Sequence, residues 1–296
     1  MRGLDGFETT KRIMETRPVP IVICSALASD TVFRSLAAGA IACIEKPTDR
    51  GHSNVGAVAG KLLQTVKLMS EVKVVRRRLR PRASAAPSPP VSSQGRSVRA
   101  NVKIIGIGAS TGGPPALQTI LSGLPHDFPV PILVVQHIAP GFLSGMAAWL
   151  KQSTRLPVLV GSHGTLPMPG HVYLAPDDFH MGIDASGHII LASEPAESGL
   201  RPTVAFLFRS LAEVRGANAL GVLLTGMGKD GAAELKLMKD RGARTIAQDR
   251  ASSIVHGMPG QAIALGGATH VLPADQIAQA LVSSVGKSRV AKEDKS

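Results

Sequence analysis

Cysteine, aromatics and long apolar runs are all scarce in this 296-residue chain. The two cysteines, Cys24 and Cys43, sit alone in apolar runs without Cys-x-x-Cys spacing. This excludes a disulfide framework and a thiolate metal site and predicts two reduced thiols buried in the core of a cytoplasmic protein. No apolar run approaches the ~20 residues of a membrane helix, and the residues after Met1 lack a signal-peptide core, so a soluble, unsecreted, not membrane-inserted protein is expected. Aromatics make up 3% of the chain. None falls in its most basic stretch, so stacking platforms for single-stranded nucleic acid are missing there.

What the chain does have is positive charge, +12 overall, and that charge is concentrated. Lys73, Arg76, Arg77, Arg78, Arg80, Arg82, Arg96 and Arg99 occupy a stretch without Asp or Glu. From Arg80 to Ser97 the composition is Pro, Ala, Ser and Arg, too polar to order itself by burial. We assign residues 73–100 to a basic linker with a solvated charge run, and expect no nucleic-acid partner.

On either side of the linker, helical and strand patterns alternate. Before it, helices are predicted over Gly6 to Thr16, Asp30 to Ala38 and Asn54 to about Arg78, with strands Val19 to Cys24 and Ile41 to Ile44. Two strands are too few for an independent parallel sheet, so residues 1–72 look like half a domain with a sheet edge and apolar faces left uncovered. After the linker, strands are predicted at Val102 to Ile107, Pro131 to Gln136, Ala219 to Thr225 and Arg244 to Gln248. Helices are predicted at Pro114 to Gly123, Phe142 to Gln152, Thr203 to Val214, Gly231 to Arg241 and Asp275 to Val285. The first two strands are apolar on both faces, the mark of a sheet covered by helices on each side. Shorter extended pieces at Val172 to Ala175 and Ile189 to Ala192 suggest a hairpin or a strand excursion. The fold class is therefore α/β: a doubly wound, mainly parallel sheet over 101–285, preceded by a partial α/β segment and followed by a disordered polar tail, 286–296.

In such sheets reactive groups gather beyond the carboxyl ends of the strands. The first strand after the linker runs into Gly108-Ala109-Ser110-Thr111-Gly112, where small residues permit a sharp turn that pushes a hydroxyl outward. The pattern is weak alone, since a Gly-rich turn also suits phosphate. A nucleotide-binding module using Gly106, Gly108 and Gly112 is the alternative, but its third glycine would fall at Thr111 and no P-loop lysine follows. The second strand ends at Gln136-His137, placing an imidazole where it could act as general base. The third opens into Thr225-Gly226-Met227-Gly228-Lys229-Asp230-Gly231, where Asp230 could fix the imidazole or cap the following helix. Backbone N–H groups at Thr111 and Met227 are the candidate oxyanion donors. Ser, His, Asp is not the chain order of α/β hydrolases, so convergence describes the likeness better.

These three motifs also resemble the chemotaxis protein-glutamate methylesterase family, CheB. So do Val172-Tyr173-Leu174-Ala175-Pro176, Arg201-Pro202-Thr203-Val204, Ala247-Gln248-Asp249, Ala251-Ser252-Ser253 and Gly257-Met258-Pro259, giving a match from Val102 to about Leu281. The resemblance implies a Ser-His-Asp esterase that demethylates glutamate methyl esters on cytoplasmic chemoreceptors and deamidates glutamines there. It makes Ser110 the nucleophile, His137 the base, Asp230 its orienter, and Thr111 with Met227 the oxyanion site, with no cofactor or metal. A catalytically inactive receptor-binding adaptor is the non-enzymatic alternative. The chain departs from the family at Ala205, commonly acidic, and His256, commonly aromatic; both are expected to tune substrate fit.

Residues 1–72 resemble the second half of a response-regulator receiver. Ser25 and Lys46, each after a strand, then sit where receivers contact a phosphoryl group, and a full-length form would be partnered by a chemotaxis histidine kinase. The phosphoacceptor aspartate and the Mg²⁺-binding acidic pair do not occur in this chain. The expectation is a wrongly assigned start rather than genuine truncation, and a chain beginning at Met1 that no phosphodonor activates.

Overall fold

In the computed structural model, residues 5–25, 29–45, 55–70 and 102–285 are described. The basic linker, the polar tail, Lys46 and the end of the long third helix lie outside them.

The N-terminal segment comprises α1 (Gly6–Thr16), β1 (Val22–Ser25), α2 (Ser29–Ala37), β2 (Ala42–Glu45) and α3 (Val55–Ser70). Asp5 starts α1 as its N-cap, accepting the Glu8 N–H at 2.7 Å. β1 and β2 form a two-stranded parallel sheet in which Ser25 lies opposite Glu45. Neither cysteine is the buried thiol expected: Cys24 is exposed and Cys43 half-buried. Both strands of a two-stranded sheet are edge strands, and apolar sequence alone does not secure their burial.

The apolar face of α2 is covered, contrary to the expectation of a bare half-domain. Val32 and Phe33 are buried in the core of the larger domain, and the Phe33 ring stacks on Trp149 with centroids 5.6 Å apart. Such a pair adds about 0.5–1.5 kcal/mol beyond the area it buries.

The larger domain runs β3 (Ile104–Ala109), α4 (Gly113–Ser122), β4 (Ile132–Gln136), α5 (Leu143–Ser153), β5 (Val158–Val160), β6 (Val172–Leu174), β7 (His180–Ile183) and β8 (Ile189–Ala192). It continues with α6 (Val204–Val214), a 3₁₀ turn at Gly216–Asn218, β9 (Ala219–Leu223), α7 (Ala232–Asp240), β10 (Arg244–Gln248), α8 (Met258–Ala264), β11 (His270–Leu272) and α9 (Ala274–Ser284). Seven strands form one sheet in the order β11-β10-β9-β3-β4-β6-β5, and every pair is parallel. The two extended pieces expected to form a hairpin do not pair: Val172–Leu174 is a parallel strand of the main sheet, and Ile189–Ala192 forms its antiparallel hairpin with β7, a short strand not predicted from the sequence.

Helices α4, α5 and α9 bury one face of the sheet through Leu117, Met146 and Ile277; α6, α7 and α8 bury the other through Phe208, Leu235 and Met258. Gly106 and Gly108 point at α6, where an added Cβ would strike Leu211 and Val204. They let a helix lie directly on the strand, and they are not part of a phosphate loop. Close helix packing therefore accounts for these two glycines, and they lend no support to the nucleotide-binding alternative.

β3 is central, and the chain leaves it toward β4 on one side and returns at β9 on the other. This is the switch point at which strand-end loops part to leave a crevice. Register aligns the ends: Ala109 lies opposite Gln136, and Gly108 opposite Leu223.

Candidate active site

Because the three strand ends stop at one level, their first loop residues are fastened to each other. The His137 N–H donates to Ala109 O at 2.9 Å, and the Ser110 N–H to Thr225 O at 3.0 Å. Thr225 Oγ1 donates to Thr111 O at 2.9 Å and accepts the Val255 N–H at 2.9 Å. Gly226 lies so close that an added Cβ would sit 2.7 Å from Ser110 Cβ and strike Met258 Sδ. Gly112 supplies the left-handed backbone, φ 80°, that turns the chain into α4 just after Ser110.

Ser110 is half-buried at this turn. His137 and Asp230 are nearly enclosed, with side chains 12% and 11% exposed, and His137 Nε2 lies 2.9 Å from Asp230 Oδ2. The oxygen is off the line of the ring N–H, so the approach is a close polar contact rather than an aligned hydrogen bond. Bonds of this kind often tighten only when substrate is bound. With Nε2 turned to Asp230, Nδ1 is the ring nitrogen left for a serine proton.

Asp230 does not cap α7, whose N-cap is Gly231 without a side-chain bond. Instead its carboxylate caps α6: Oδ2 accepts the Val204 N–H at 2.7 Å and Oδ1 the Ala205 N–H at 3.0 Å. Burial alone would raise the Asp230 carboxyl; the neighbouring His137 ring and the two α6 amides outweigh it and hold Asp230 below its ordinary value. A carboxylate kept ionised at a helix N-terminus is a firm anchor for an imidazole.

Thr111 and Met227 flank Ser110 from two sides, and among the described residues neither backbone N–H is spent on a hydrogen bond. The Met227 side chain is 40% exposed, forming part of the site's open rim. A cleft beside His137 is walled by Ile138, Asp177, Asp178, Arg201 and Pro202.

Sequence inspection missed one residue that builds this site. Gln136 is buried, and its Nε2 donates to both Ser110 O and His137 O at 2.8 Å. One side-chain amide thus bridges the backbone of two site residues. The Gln-His pair at the end of a strand hinted at a role, but the bridge depends on a partner 26 residues away.

The two departures from the family pattern lie behind the site. Ala205 is buried, and through its N–H it touches Asp230. His256 packs against Gly260 and lies beside Gly226 across an isolated bridge, with Nδ1 3.3 Å from Ser253 Oγ. Burial and then Arg250 lower the His256 pKa, with Asp249 opposing. Ser25 belongs to the N-terminal sheet, not to this cluster, and Lys46 lies outside the described residues. Among the described residues no group of three or more His, Cys, Asp or Glu could hold a metal ion, and no helix is long and apolar enough to cross a membrane.

Fold and site define a doubly wound α/β protein with a serine, a histidine and an aspartate gathered at three adjoining strand ends. Comparison with known proteins then names the family. Residues 105–281 match the CheB methylesterase family model, and the chain belongs to that family. It is 50% identical over 291 residues to a protein-glutamate methylesterase/protein-glutamine glutaminase of Nitrosospira multiformis, covering 97% of this chain and 82% of that relative. A Geobacter metallireducens protein of the same description is also 50% identical, over 96% of this chain and 82% of its own length. The crystal structure of the Thermotoga maritima CheB methylesterase catalytic domain superposes with a TM-score of 0.61 at 41% identity, covering 62% of this chain and 99% of that one.

Proposed function

We propose that this chain is a serine hydrolase that demethylates glutamate methyl esters on the cytoplasmic domains of chemoreceptors and deamidates glutamines at such sites. Ser110 Oγ attacks the side-chain carbonyl carbon while His137 takes its proton, and Asp230 steadies the imidazolium that forms. Negative charge on the tetrahedral oxygen meets the Thr111 and Met227 N–H groups, each donor of this kind contributing roughly 10²–10³ in rate. His137 returns the proton to the departing oxygen or nitrogen, releasing methanol or ammonia and leaving an acyl-serine. Water, deprotonated by His137, then attacks the acyl carbon; Ser110 leaves with the proton, and glutamate is the product. Ester and amide follow one path because both present a carbonyl with a leaving group that needs a proton.

The observation that carries this reading is the gathering of Ser110, His137 and Asp230 at one level of the sheet, with Asp230 pinned by α6 and 2.9 Å from the imidazole. A fluorophosphonate probe tests it. Labelling that disappears in Ser110→Ala and falls sharply in His137→Ala is expected; equal labelling of all three proteins would refute it. Residues 1–72 are proposed to be the second half of a receiver, a reading supported by the β-α-β arrangement around Ser25.

A further inference from the structure

The proposed chemistry leaves unused one histidine that is wholly buried. His180 opens β7 with 0% exposure, and its surroundings fix its proton. Nδ1 lies 3.2 Å from the Thr203 N, whose N–H can only donate, so Nδ1 carries no proton. Thr203 Oγ1 approaches the same nitrogen at 3.2 Å while accepting the Phe206 N–H, leaving its own proton to turn toward Nδ1. The ring proton therefore sits on Nε2, which faces Pro195 O at 3.3 Å. Phe206 stacks on the ring with centroids 5.1 Å apart.

Thr203 is the N-cap of α6, and the next two residues are the amides that grip Asp230. A second tie holds the hairpin to the helix further along, where the Ile183 N–H donates to Ser210 Oγ at 3.2 Å. A continuous series thus runs from the hairpin to the base: His180, the capped start of α6, Asp230, His137. We propose that His180 is a positioning residue for hydrolysis, and that it acts by locking the first turn of α6 so that the Val204 and Ala205 amides hold the Asp230 carboxylate toward His137. It touches neither substrate nor the reacting atoms. The inference rests on the proposed triad.

The test is a double-mutant cycle on ester hydrolysis by the full chain. Removing the acceptor in His180→Leu is expected to lower kcat about tenfold with KM within about twofold, the pattern of a group that matters only in the transition state. His180→Asn, which retains an acceptor near the Nδ1 position, should recover most of that loss. In an Asp230→Asn background, His180→Leu should cost less than about twofold further, because the group it serves is already disabled. Should His180→Leu fail to fold, His180→Asn and Thr203→Val support the same cycle, each with a partial loss that vanishes beside Asp230→Asn. Losses that multiply in the double variants, a rise in KM at constant kcat, or a lower unfolding temperature with unchanged kcat would each overturn the proposal. If Asp230→Asn alone kept the full rate, the triad itself would fall, an outcome the single variant separates from failure of the His180 series.

Discussion

Two of the described parallel strands end in a serine or run straight into one, and the described surroundings of the two serines differ. β1 ends at Ser25 in a two-stranded sheet whose residues remain partly open; β3 leads to Ser110 from the centre of seven strands and is buried at all six positions. A strand-end hydroxyl gains a function from its neighbours. At Ser110 two flanking strands stop at the same level and deliver His137 and the loop carrying Asp230, and helices packed on both faces hold all three in place. At Ser25 a single neighbouring strand offers Glu45 opposite, and the next residues lie outside the described part of the chain. The larger sheet makes a site because its register gives convergence and its burial gives rigidity.

The contrast breaks most completely if Ser110 is removed. Ser110→Ala or His137→Ala should lower kcat for ester hydrolysis by roughly 10⁴- to 10⁶-fold, measured at saturating substrate. Next in size is Gly226→Ala, whose methyl would press on Ser110 Cβ and Met258 Sδ. A displaced nucleophile should cost about 10²-fold in kcat/KM, with correct folding checked by circular dichroism. Gln136→Leu keeps the bulk of the side chain but takes away the donor that bridges the Ser110 and His137 carbonyls, Ser110 O keeping only the Gly113 N–H. About tenfold in kcat is expected, together with a loss of stability of about 1–3 kcal/mol from the unmade bonds; unfolding in urea measures the latter.

Phe33→Ala sharpens the comparison from the other side. It removes the stack on Trp149 and should free α2 from the larger domain, seen as loss of hydrogen-exchange protection across Ser29–Ala37. β3 should keep its protection, and esterase activity should stay within about twofold. The smallest effect is one of pH. Because Asp230 is held below its ordinary value, it adds stability that is fully present above the unfolded carboxylate value of about 3.9 and is lost as pH falls through the lower folded value. Asp230→Asn should flatten the acid side of the stability curve, and an unchanged acid slope would mean that Asp230 gains nothing from His137 and α6.

Much of this was legible in the sequence, for definite reasons. Apolar runs such as Ile104–Ala109 and Ile132–Gln136 announce buried parallel strands, and the turn after each announces a strand end. What escaped notice was short or non-local. β5 and β11 have three residues each, and α8 has seven, beginning at Met258-Pro259 just after Gly257. Asp230 read as a possible cap for the helix that follows it, whereas it caps one that begins 26 residues earlier. Gln136 and His180 act through partners 26 and 23 residues away. Cys24 looked buried because its strand is apolar, but both strands of a two-stranded sheet are edge strands, and Cys24 lies exposed on one of them.

Incubating a glutamate-methylated chemoreceptor peptide with the full chain and following its mass tests the central claim most directly. The account predicts loss of one methyl group per methylated site with the native chain and none with Ser110→Ala. Retention of every methyl by the native chain, or equal loss with both proteins, would contradict it.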